Sequence, residues 1–210
     1  MKIKHSKKNI SCRLCKSSDI VSVLNLASTP PANAFVGKEN LQIEQRKYPL
    51  ELFFCQNCNH VQLTEVVDPN ELFENYVYVS GTSKVFVEHF SNYARNIVDK
   101  FNPSLENYVL DIGSNDGTLL KFFKELGYKV IGIDPAIDIS SLATKQGIET
   151  INGFFNSETA KQIENKHSKP SLITANNVFA HCDDLGGMTE AISNLLSPEG
   201  LFVFEVSYLV

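Results

Sequence analysis

An alternation of apolar runs and helix-like segments, from residue 105 to residue 210, constrains the fold more than any other feature. The five apolar runs read YVLDIGS, KVIGIDP, IETING, SLITANNVF and LFVFEVSYLV, and a segment of helical character follows each of the first four. Strands that alternate with helices of this length are typical of a parallel, doubly wound sheet. The sequence therefore predicts an α/β fold, with a five-stranded Rossmann-like sheet over residues 105–210.

Residues 1–66 differ from this pattern, because they combine short apolar segments with two Cys-x-x-Cys pairs. The pairs are Cys12 with Cys15 and Cys55 with Cys58, and 39 residues separate them. Each pair can present two thiolates to one tetrahedral Zn²⁺, which binds sulfur at about 2.3 Å. Four sulfur ligands leave no position for water, so a structural zinc module is predicted. His60 is an alternative ligand in place of one thiolate, and the fifth cysteine, Cys182, stands apart as a buried thiol.

Between these parts, residues 67–104 are predicted to form a linker and a helix that contributes to the site. Apolar side chains recur there at steps of three or four residues, which predicts an amphipathic helix; they are Phe86, Phe90, Tyr93, Ile97 and Phe101. Ser83 suits the N-cap, and Asn102-Pro103 ends the helix. Residues 1–9 are predicted to be a frayed tail.

The segment VLDIGSNDGTLL joins the first predicted strand to a helix through a glycine turn. Gly113 and Gly117 allow a tight turn and a close approach to a ligand, although their spacing does not fit the dinucleotide motif G-x-G-x-x-G. Asp111 ends the first strand, where it suits a cationic amino acid group, and Asp134 ends the second, where it can accept both ribose hydroxyls. Two acids and no basic residue in the turn favour adenosine with a cationic tail, as in S-adenosylmethionine. The alternative is that these residues only mark turns at strand ends.

Further candidates for the cofactor site lie beside these turns; they are Asn115, Pro135, Phe154, Asn176 and Asn177. Phe154 follows the third strand, where its ring could flank adenine. The run ITANNVFAHCDD ends an apolar strand in two asparagines and His181. Such an ending is either a capped chain reversal or the rim of a site.

The charge distribution argues against a nucleic-acid surface. Residues 1–66 carry nine Lys/Arg against five Asp/Glu, and residues 67–210 carry ten against nineteen, within a net charge of −5. No apolar segment follows the basic start, and no run of about 18 apolar residues occurs. A cytoplasmic protein without membrane contact is predicted.

Taken in order, the motifs PPANAF, CQNCNHVQL, YVYVSGTS, DIGSNDGTLL, NNVFAH and FEVSYL resemble those of sugar C-methyltransferases with an N-terminal zinc-binding domain. The resemblance extends from about residue 10 to the last residue. It implies S-adenosylmethionine-dependent transfer of a methyl group to carbon, with a nucleotide-linked 4-keto deoxysugar as the usual substrate.

The resemblance also implies roles for individual residues. Tyr76 matches a tyrosine that reaches the sugar site. Tyr78, Ser80 and Ser83 match a segment that closes over the methionine end of the cofactor. His181 matches a histidine near the acceptor carbon, where a general base is needed. Alternatively, His181 caps a helix that begins at Asp183, and the two tyrosines only pack a loop onto the core.

Members of that family continue past the fifth strand into a C-terminal lobe with further catalytic groups, and their sheet has seven strands. The sequence therefore predicts an incomplete Rossmann-like domain, truncated after its fifth strand. An RNA base methyltransferase with a zinc module is an alternative function, and so is a non-catalytic scaffold that binds the cofactor. The sequence does not predict the oligomeric state.

Overall fold

The structure is a computed structural model that describes residues 5–207. The chain divides into two compact units, Met1–Val77 and Tyr78–Val210. The segment 67–104, expected to be a linker and a helix, is therefore divided between the two units.

The first unit consists of short antiparallel strands and one short helix. Its elements are β1 (Ser6–Lys8), β2 (Ile20–Thr29), β3 (Tyr48–Cys55), β4 (Val61–Leu63), β5 (Glu65–Val67) and α1 (Pro69–Phe73). The sheet order is β2-β3-β4, and β1 pairs separately with β5. The pairing of Ser6 with Val67 and of Lys8 with Glu65 shows that the prediction of a frayed tail is wrong for this segment.

The first unit has a very small apolar interior. Among its described residues, only Cys12, Tyr48 and Cys55 are buried apolar side chains, and most of β2 is exposed. So little buried surface contributes little hydrophobic stabilisation, which scales with apolar area. A module of this kind needs a covalent or metal cross-link to hold its fold.

The second unit opens with the helix α2 (Lys84–Phe101), whose limits agree with the sequence. The hydroxyl of Ser83 accepts a hydrogen bond from the backbone N–H of Phe86 at 3.4 Å and caps the helix. The helix ends at Asn102, which has a left-handed φ of 44°. Phe90, Ala94 and Ile97 are buried on one face, but Phe101, in the last turn, is 47% exposed.

A five-stranded parallel sheet forms the centre of the second unit. Its strands are β6 (Tyr108–Ile112), β7 (Lys129–Asp134), β8 (Thr150–Asn152), β9 (Leu172–Asn176) and β10 (Leu201–Glu205). The helices between them are α3 (Thr118–Glu125), α4 (Ile137–Lys145), α5 (Ser157–His167) and α6 (Leu185–Leu195). The strand order β10-β9-β6-β7-β8 and the parallel pairing confirm the predicted α/β fold class.

Helices cover both faces of this sheet, because neighbouring residues of a strand point to opposite sides. Leu110 packs with α5 and α6, represented by Ile163 and Ile192. Val109, next to it in β6, packs with α2 and α3, represented by Phe90 and Leu120. This alternation explains why the strands are apolar on both sides.

The strand order reverses between β6 and β9, and this reversal positions the site. The chain runs from β6 outward to β8, then returns to the other side of β6 to form β9 and β10. In open α/β sheets the carboxyl ends of the strands flanking such a reversal border a crevice that binds ligands. Among the described residues, no helix is both long and apolar enough to cross a bilayer.

Candidate zinc centre and cofactor site

The four paired cysteines converge in the first unit. Their sulfur atoms all lie within 4.8 Å of one another. The Sγ atoms of Cys12 and Cys58 are 3.6 Å apart, and so are those of Cys15 and Cys55. A tetrahedral zinc with bonds of about 2.3 Å places its sulfur ligands about 3.8 Å apart, so this donor set fits the ion. The first unit therefore contains the predicted structural zinc centre.

The two Cys-x-x-Cys loops have the same backbone conformation. The residue after each second cysteine donates its N–H to the carbonyl of the first, Lys16 to Cys12 and Asn59 to Cys55, each at 2.9 Å. Lys16 and Asn59 have left-handed φ values of 64° and 62°. Each turn thus closes tightly enough to bring its two sulfurs to one ion.

Polar neighbours support the thiolates. Asn57 donates from Nδ2 to the Sγ of Cys15 at 3.5 Å, and this bond is the main cause that lowers the pKa of Cys15 to about 6. The carbonyl of His60 accepts the N–H of Cys55 at 2.9 Å, while its imidazole is not among the grouped donors of the described residues. The grouped donors that could hold zinc are therefore the four cysteines, and the carbonyl of His60 supports one of them. Cys182 packs half-buried against the α5 and α6 core.

In the second unit, the glycine turn lies at the carboxyl end of β6. The N–H groups of Gly113 and Ser114 donate to the carbonyl of Ile133, at 2.8 and 3.2 Å. Gly113 has a φ of 71°, and a Cβ there would lie 2.3 Å from a methyl group of Val178. Gly117, with a φ of 75°, precedes α3. The turn therefore requires glycine for both conformation and space.

Asp134 ends β7 and fixes the turn. Its Oδ2 accepts the N–H of Asn115 at 2.8 Å, and its Oδ1 accepts the N–H of Ala136 at 2.8 Å. Burial raises the pKa of Asp134, and the two backbone hydrogen bonds oppose that effect. A carboxylate oxygen can accept more than one hydrogen bond, so the hydroxyls of a ribose remain possible donors.

Asp111 lies in β6, beside Asp134 on the neighbouring strand. Its Oδ1 accepts a hydrogen bond from the hydroxyl of Thr174 in β9 at 2.6 Å. Burial raises the pKa of Asp111 to about 7; the Thr174 bond opposes this rise, and the charge of Asp134 adds to it. A buried carboxylate in this state is stabilised by a cationic group placed next to it.

The segment that contains Tyr78 and Ser80 is held against the turn by two side chains. Asn115 donates from Nδ2 to the carbonyl of Tyr78 and accepts the N–H of Ser80 at Oδ1, both at 2.9 Å. Asp116 accepts the N–H of Gly81 at 3.2 Å. The segment therefore borders the turn. The side chain of Ser83, in contrast, is the N-cap of α2.

The polar residues after β9 lie at the same edge of the sheet. Asn177 has a φ of 55° and donates its N–H to the carbonyl of Glu205 at 2.7 Å. His181 ends a 3₁₀ turn, Phe179–His181; the residue is exposed overall, yet its partial desolvation lowers its pKa. The helix α6 is capped by Asp184, whose Oδ1 accepts the N–H of Gly187 at 3.1 Å. The alternative that His181 caps a helix beginning at Asp183 is therefore wrong.

Two candidates for the cofactor site, Pro135 and Phe154, follow the strands β7 and β8. Asn152 donates from Nδ2 to the carbonyls of Asp134 and Pro135, at 3.1 and 3.0 Å, and ties the ends of the two strands together. Phe154 is half-buried after β8, whereas the next residue, Phe155, packs into the core.

Tyr76 belongs to the first unit, unlike the other catalytic candidate, His181. The hydroxyl of Tyr76 accepts a hydrogen bond from Nδ2 of Asn33 at 3.4 Å. Asn33 lies in the motif PPANAF, so two of the motifs that carry the family resemblance meet here.

Four polar residues near the cofactor candidates are missing from the sequence-based set: His89, Tyr93, Asp116 and Glu205. Glu205 ends β10 as Asp134 ends β7. The presence of an acid after an apolar run could therefore have identified Glu205 as a candidate from the sequence. His89 and Tyr93 lie one helical turn apart in α2, where the periodicity indicated only a packing face.

We expect Cys55→Ser to lose zinc and to unfold the first unit, because a hydroxyl is a poor replacement for a thiolate ligand. Zinc content after dialysis against a weak chelator should fall from near one per chain to a small fraction. Cys182→Ser is the matched control and should keep its zinc. Full metal content in Cys55→Ser would contradict the four-cysteine centre.

We expect Asp111→Asn to flatten the pH dependence of stability in the ligand-free protein. The folded pKa of about 7 exceeds the unfolded value, so the contribution of Asp111 to stability is present at acidic pH and is lost as the pH rises through 7. The unfolding free energy of the parent should fall by about 1–3 kcal/mol relative to the variant between pH 5 and pH 8. Urea unfolding at both pH values measures this, with Asp138→Asn as the exposed control. Parallel pH profiles for parent and Asp111→Asn would refute the assignment.

The comparisons with known proteins agree with this division of the chain. A family model for a zinc binding domain matches residues 12–73, and a family model for a methyltransferase domain matches residues 86–209. The C-methyltransferase NovU of Streptomyces niveus is 32% identical over 95% of this chain and 47% of its own length. The ubiquinone biosynthesis O-methyltransferase of Azorhizobium caulinodans is 24% identical over 61% of this chain and 50% of its own length. The chain thus spans about half the length of the curated relatives it matches.

A solved structure shows the same fold. The PH0226 protein from Pyrococcus horikoshii OT3 matches with a TM-score of 0.52 and 16% identity, covering 63% of this chain and 59% of that chain. The methyltransferase model matches more than half of the sequence, and its range contains all five strands of the parallel sheet. This chain therefore belongs to the methyltransferase-domain family, with a zinc binding domain preceding the methyltransferase domain.

Proposed function

We propose that this protein is an S-adenosylmethionine-dependent C-methyltransferase that acts on a keto sugar linked to a nucleotide. The observation that carries the proposal is the 32% identity with the C-methyltransferase NovU, which extends over 95% of the chain and so includes both units. The ordered motifs that resemble sugar C-methyltransferases support the sugar substrate.

The geometry of the second unit fits the proposed cofactor. The Gly113 turn lies at the carboxyl end of β6, where open α/β sheets bind ligands, and Asp134 offers carboxylate oxygens to the ribose. We assign Phe154 and Pro135, which follow β8 and β7, to the border of the adenine. When bound, S-adenosylmethionine supplies an electrophilic methyl group. The segment Tyr78–Ser80, fixed to the turn by Asn115, borders the ligand from the side of α2.

The acceptor carbon needs a base, since carbon beside a ketone must lose a proton before it can act as a nucleophile. We assign this role to His181. Its lowered pKa keeps the imidazole neutral, and therefore able to accept a proton, at pH 7. The proton passes from the carbon to the imidazole, and the negative charge moves to the ketone oxygen.

The cofactor part of the proposal is tested with Asp134→Asn. The substitution keeps one acceptor oxygen but removes the charge, so the affinity for S-adenosylhomocysteine should fall about tenfold, as expected for loss of hydrogen bonds to a charged group. Titration calorimetry measures the change, with Asp138→Asn on the surface of α4 as the control. Unchanged affinity in Asp134→Asn would remove the ribose role.

The base is tested with His181→Gln. Turnover should fall by about 10²–10⁴, while the affinity for S-adenosylmethionine stays within a factor of two. Transfer of a labelled methyl group to a nucleotide-linked 4-keto sugar measures turnover, and His167→Gln, at the end of α5, is the control. In the parent, activity should decline as the pH falls below the lowered pKa of His181. Equal turnover in His181→Gln and the parent would exclude it as the base.

The same assays separate the two alternative functions. Cofactor binding without any methyl transfer would favour a non-catalytic scaffold. Methyl transfer to RNA rather than to the sugar nucleotide would favour an RNA base methyltransferase.

A further inference from the structure

A histidine–glutamate pair lies at the carboxyl edge of the sheet, where α2 meets the end of β10. Nε2 of His89 is 2.7 Å from Oε2 of Glu205. Both side chains border solvent, since 43% of the His89 side chain and 35% of the Glu205 side chain are exposed. The chemistry proposed above uses neither of them.

The alternation along β10 does not predict an acid at this position. Leu201 and Val203 pack against the apolar cluster to which α2 contributes Phe90. Successive side chains of a strand point to opposite faces, so Glu205 continues the face of Leu201 and Val203. An acid therefore stands where an apolar side chain is expected, and His89 is its partner. Exposed ion pairs contribute little to stability, so stability does not account for this pair.

The contact with Glu205 fixes the tautomer of the imidazole. An ionised carboxylate only accepts hydrogen bonds, so Nε2 of His89 carries the hydrogen. In the neutral ring the other nitrogen, Nδ1, then has a free lone pair and is an acceptor. Nδ1 has no hydrogen-bond partner among the residues that the structure describes. The rings of Phe86 and Phe90, with centroids 6.5 and 5.7 Å away, hold the imidazole in this orientation.

The turn that carries His181 packs against the same end of β10. The N–H of Asn177 donates to the carbonyl of Glu205 at 2.7 Å. The rings of Phe179 and Phe204 are 5.1 Å apart between centroids, and Phe179 begins the turn that ends at His181. One strand end therefore positions both the residue assigned as the base and the histidine–glutamate pair. This edge is where open α/β sheets bind ligands.

The free lone pair of His89 indicates which group of an acceptor molecule it can bind. A lone pair requires a hydrogen-bond donor. The ketone oxygen of a keto sugar is only an acceptor, whereas the hydroxyl groups of the sugar ring are donors. A ring hydroxyl is therefore the group of this substrate class that matches Nδ1.

We propose that His89 is a specificity-determining residue for the acceptor, and that its Nδ1 accepts a hydrogen bond from a ring hydroxyl of the keto sugar. Glu205 is a positioning residue, which acts through His89 by fixing its tautomer. A site that binds a substrate hydroxyl in this way discriminates against the analogue that lacks it, because the protein group is then left unpaired. This inference rests on the proposed function, since it needs a keto sugar as the acceptor.

The test measures the affinity for a nucleotide-linked 4-keto sugar and for analogues that each lack one ring hydroxyl. Titration calorimetry is done with S-adenosylhomocysteine present, so that no methyl transfer occurs. One analogue should bind the parent about tenfold more weakly than the complete sugar. His89→Phe keeps a ring in the same packing. In this variant the affinity for the complete sugar should fall about tenfold, and the preference over that analogue should shrink to less than about twofold.

His167→Phe is the matched control. Nε2 of His167 lies 3.4 Å from Oε1 of Glu149, and its ring contacts that of Tyr108, which begins β6 at the opposite edge of the sheet. This variant should keep the preference of the parent for the complete sugar.

Substitutions of Glu205 test the positioning role by the same ratio of affinities. Glu205→Leu should lose most of the preference, because nothing then fixes the tautomer of His89. Glu205→Gln should retain it, since the amide oxygen still accepts the hydrogen of Nε2. A preference that survives in Glu205→Leu, or is lost equally in both variants, would overturn this role. Glu205→Leu also provides the measurement should His89→Phe fold poorly.

Further outcomes separate this inference from the proposed function. An unchanged preference in His89→Phe, or a parent that binds every analogue as well as the complete sugar, would overturn the role of His89 alone. The affinity for S-adenosylhomocysteine should stay within about a factor of two in His89→Phe; a tenfold loss there would place His89 at the cofactor and also overturn the assignment. A parent that binds no keto sugar nucleotide would refute the proposed function itself.

Discussion

The backbone N–H of Asn115 donates to the carboxylate of Asp134, and the rest of the candidate cofactor site depends on this hydrogen bond. It fixes the glycine turn at the end of β6 to the end of β7. With the turn fixed, the side chain of Asn115 is aimed at the carbonyl of Tyr78 and the N–H of Ser80. A single buried acid thus determines the position of the turn and, through it, of the segment that borders the turn. Asn115 can have this role because it tolerates a left-handed φ of 52°.

The two units are stabilised in different ways. The second unit buries large apolar side chains on both faces of its sheet, such as Leu110 and Phe123. The first unit buries few, and its most buried side chains include the metal ligands Cys12 and Cys55. Zinc bound to four thiolates supplies free energy of folding where apolar area is lacking. Loss of the ion should therefore affect the first unit far more than the parallel sheet.

Local patterns predicted most of the architecture, and non-local pairing accounts for most of what they missed. The strands, the limits of α2 and the cysteine set followed from periodicity, capping residues and spacing. The β1 strand did not, because Ser6–Lys8 pairs with residues about sixty positions away. Tyr93 was read as an apolar position, since a helical period does not reveal that its hydroxyl reaches the sheet edge. Glu205 needed the strand order, which brings it beside Asn176.

The expected partner of Asp111, a cationic amino acid group, gives a physical reason for the acid in β6. A carboxylate whose pKa is raised to about 7 is costly to ionise in the ligand-free protein. A bound ammonium would offset that cost directly, and ligands without a cation would not. We therefore expect the burial of Asp111 to lower the stability of the ligand-free protein and to favour ligands that carry a charged amino acid group. The acid at the end of β7 has its own partners in two backbone N–H groups, so it depends less on the ligand.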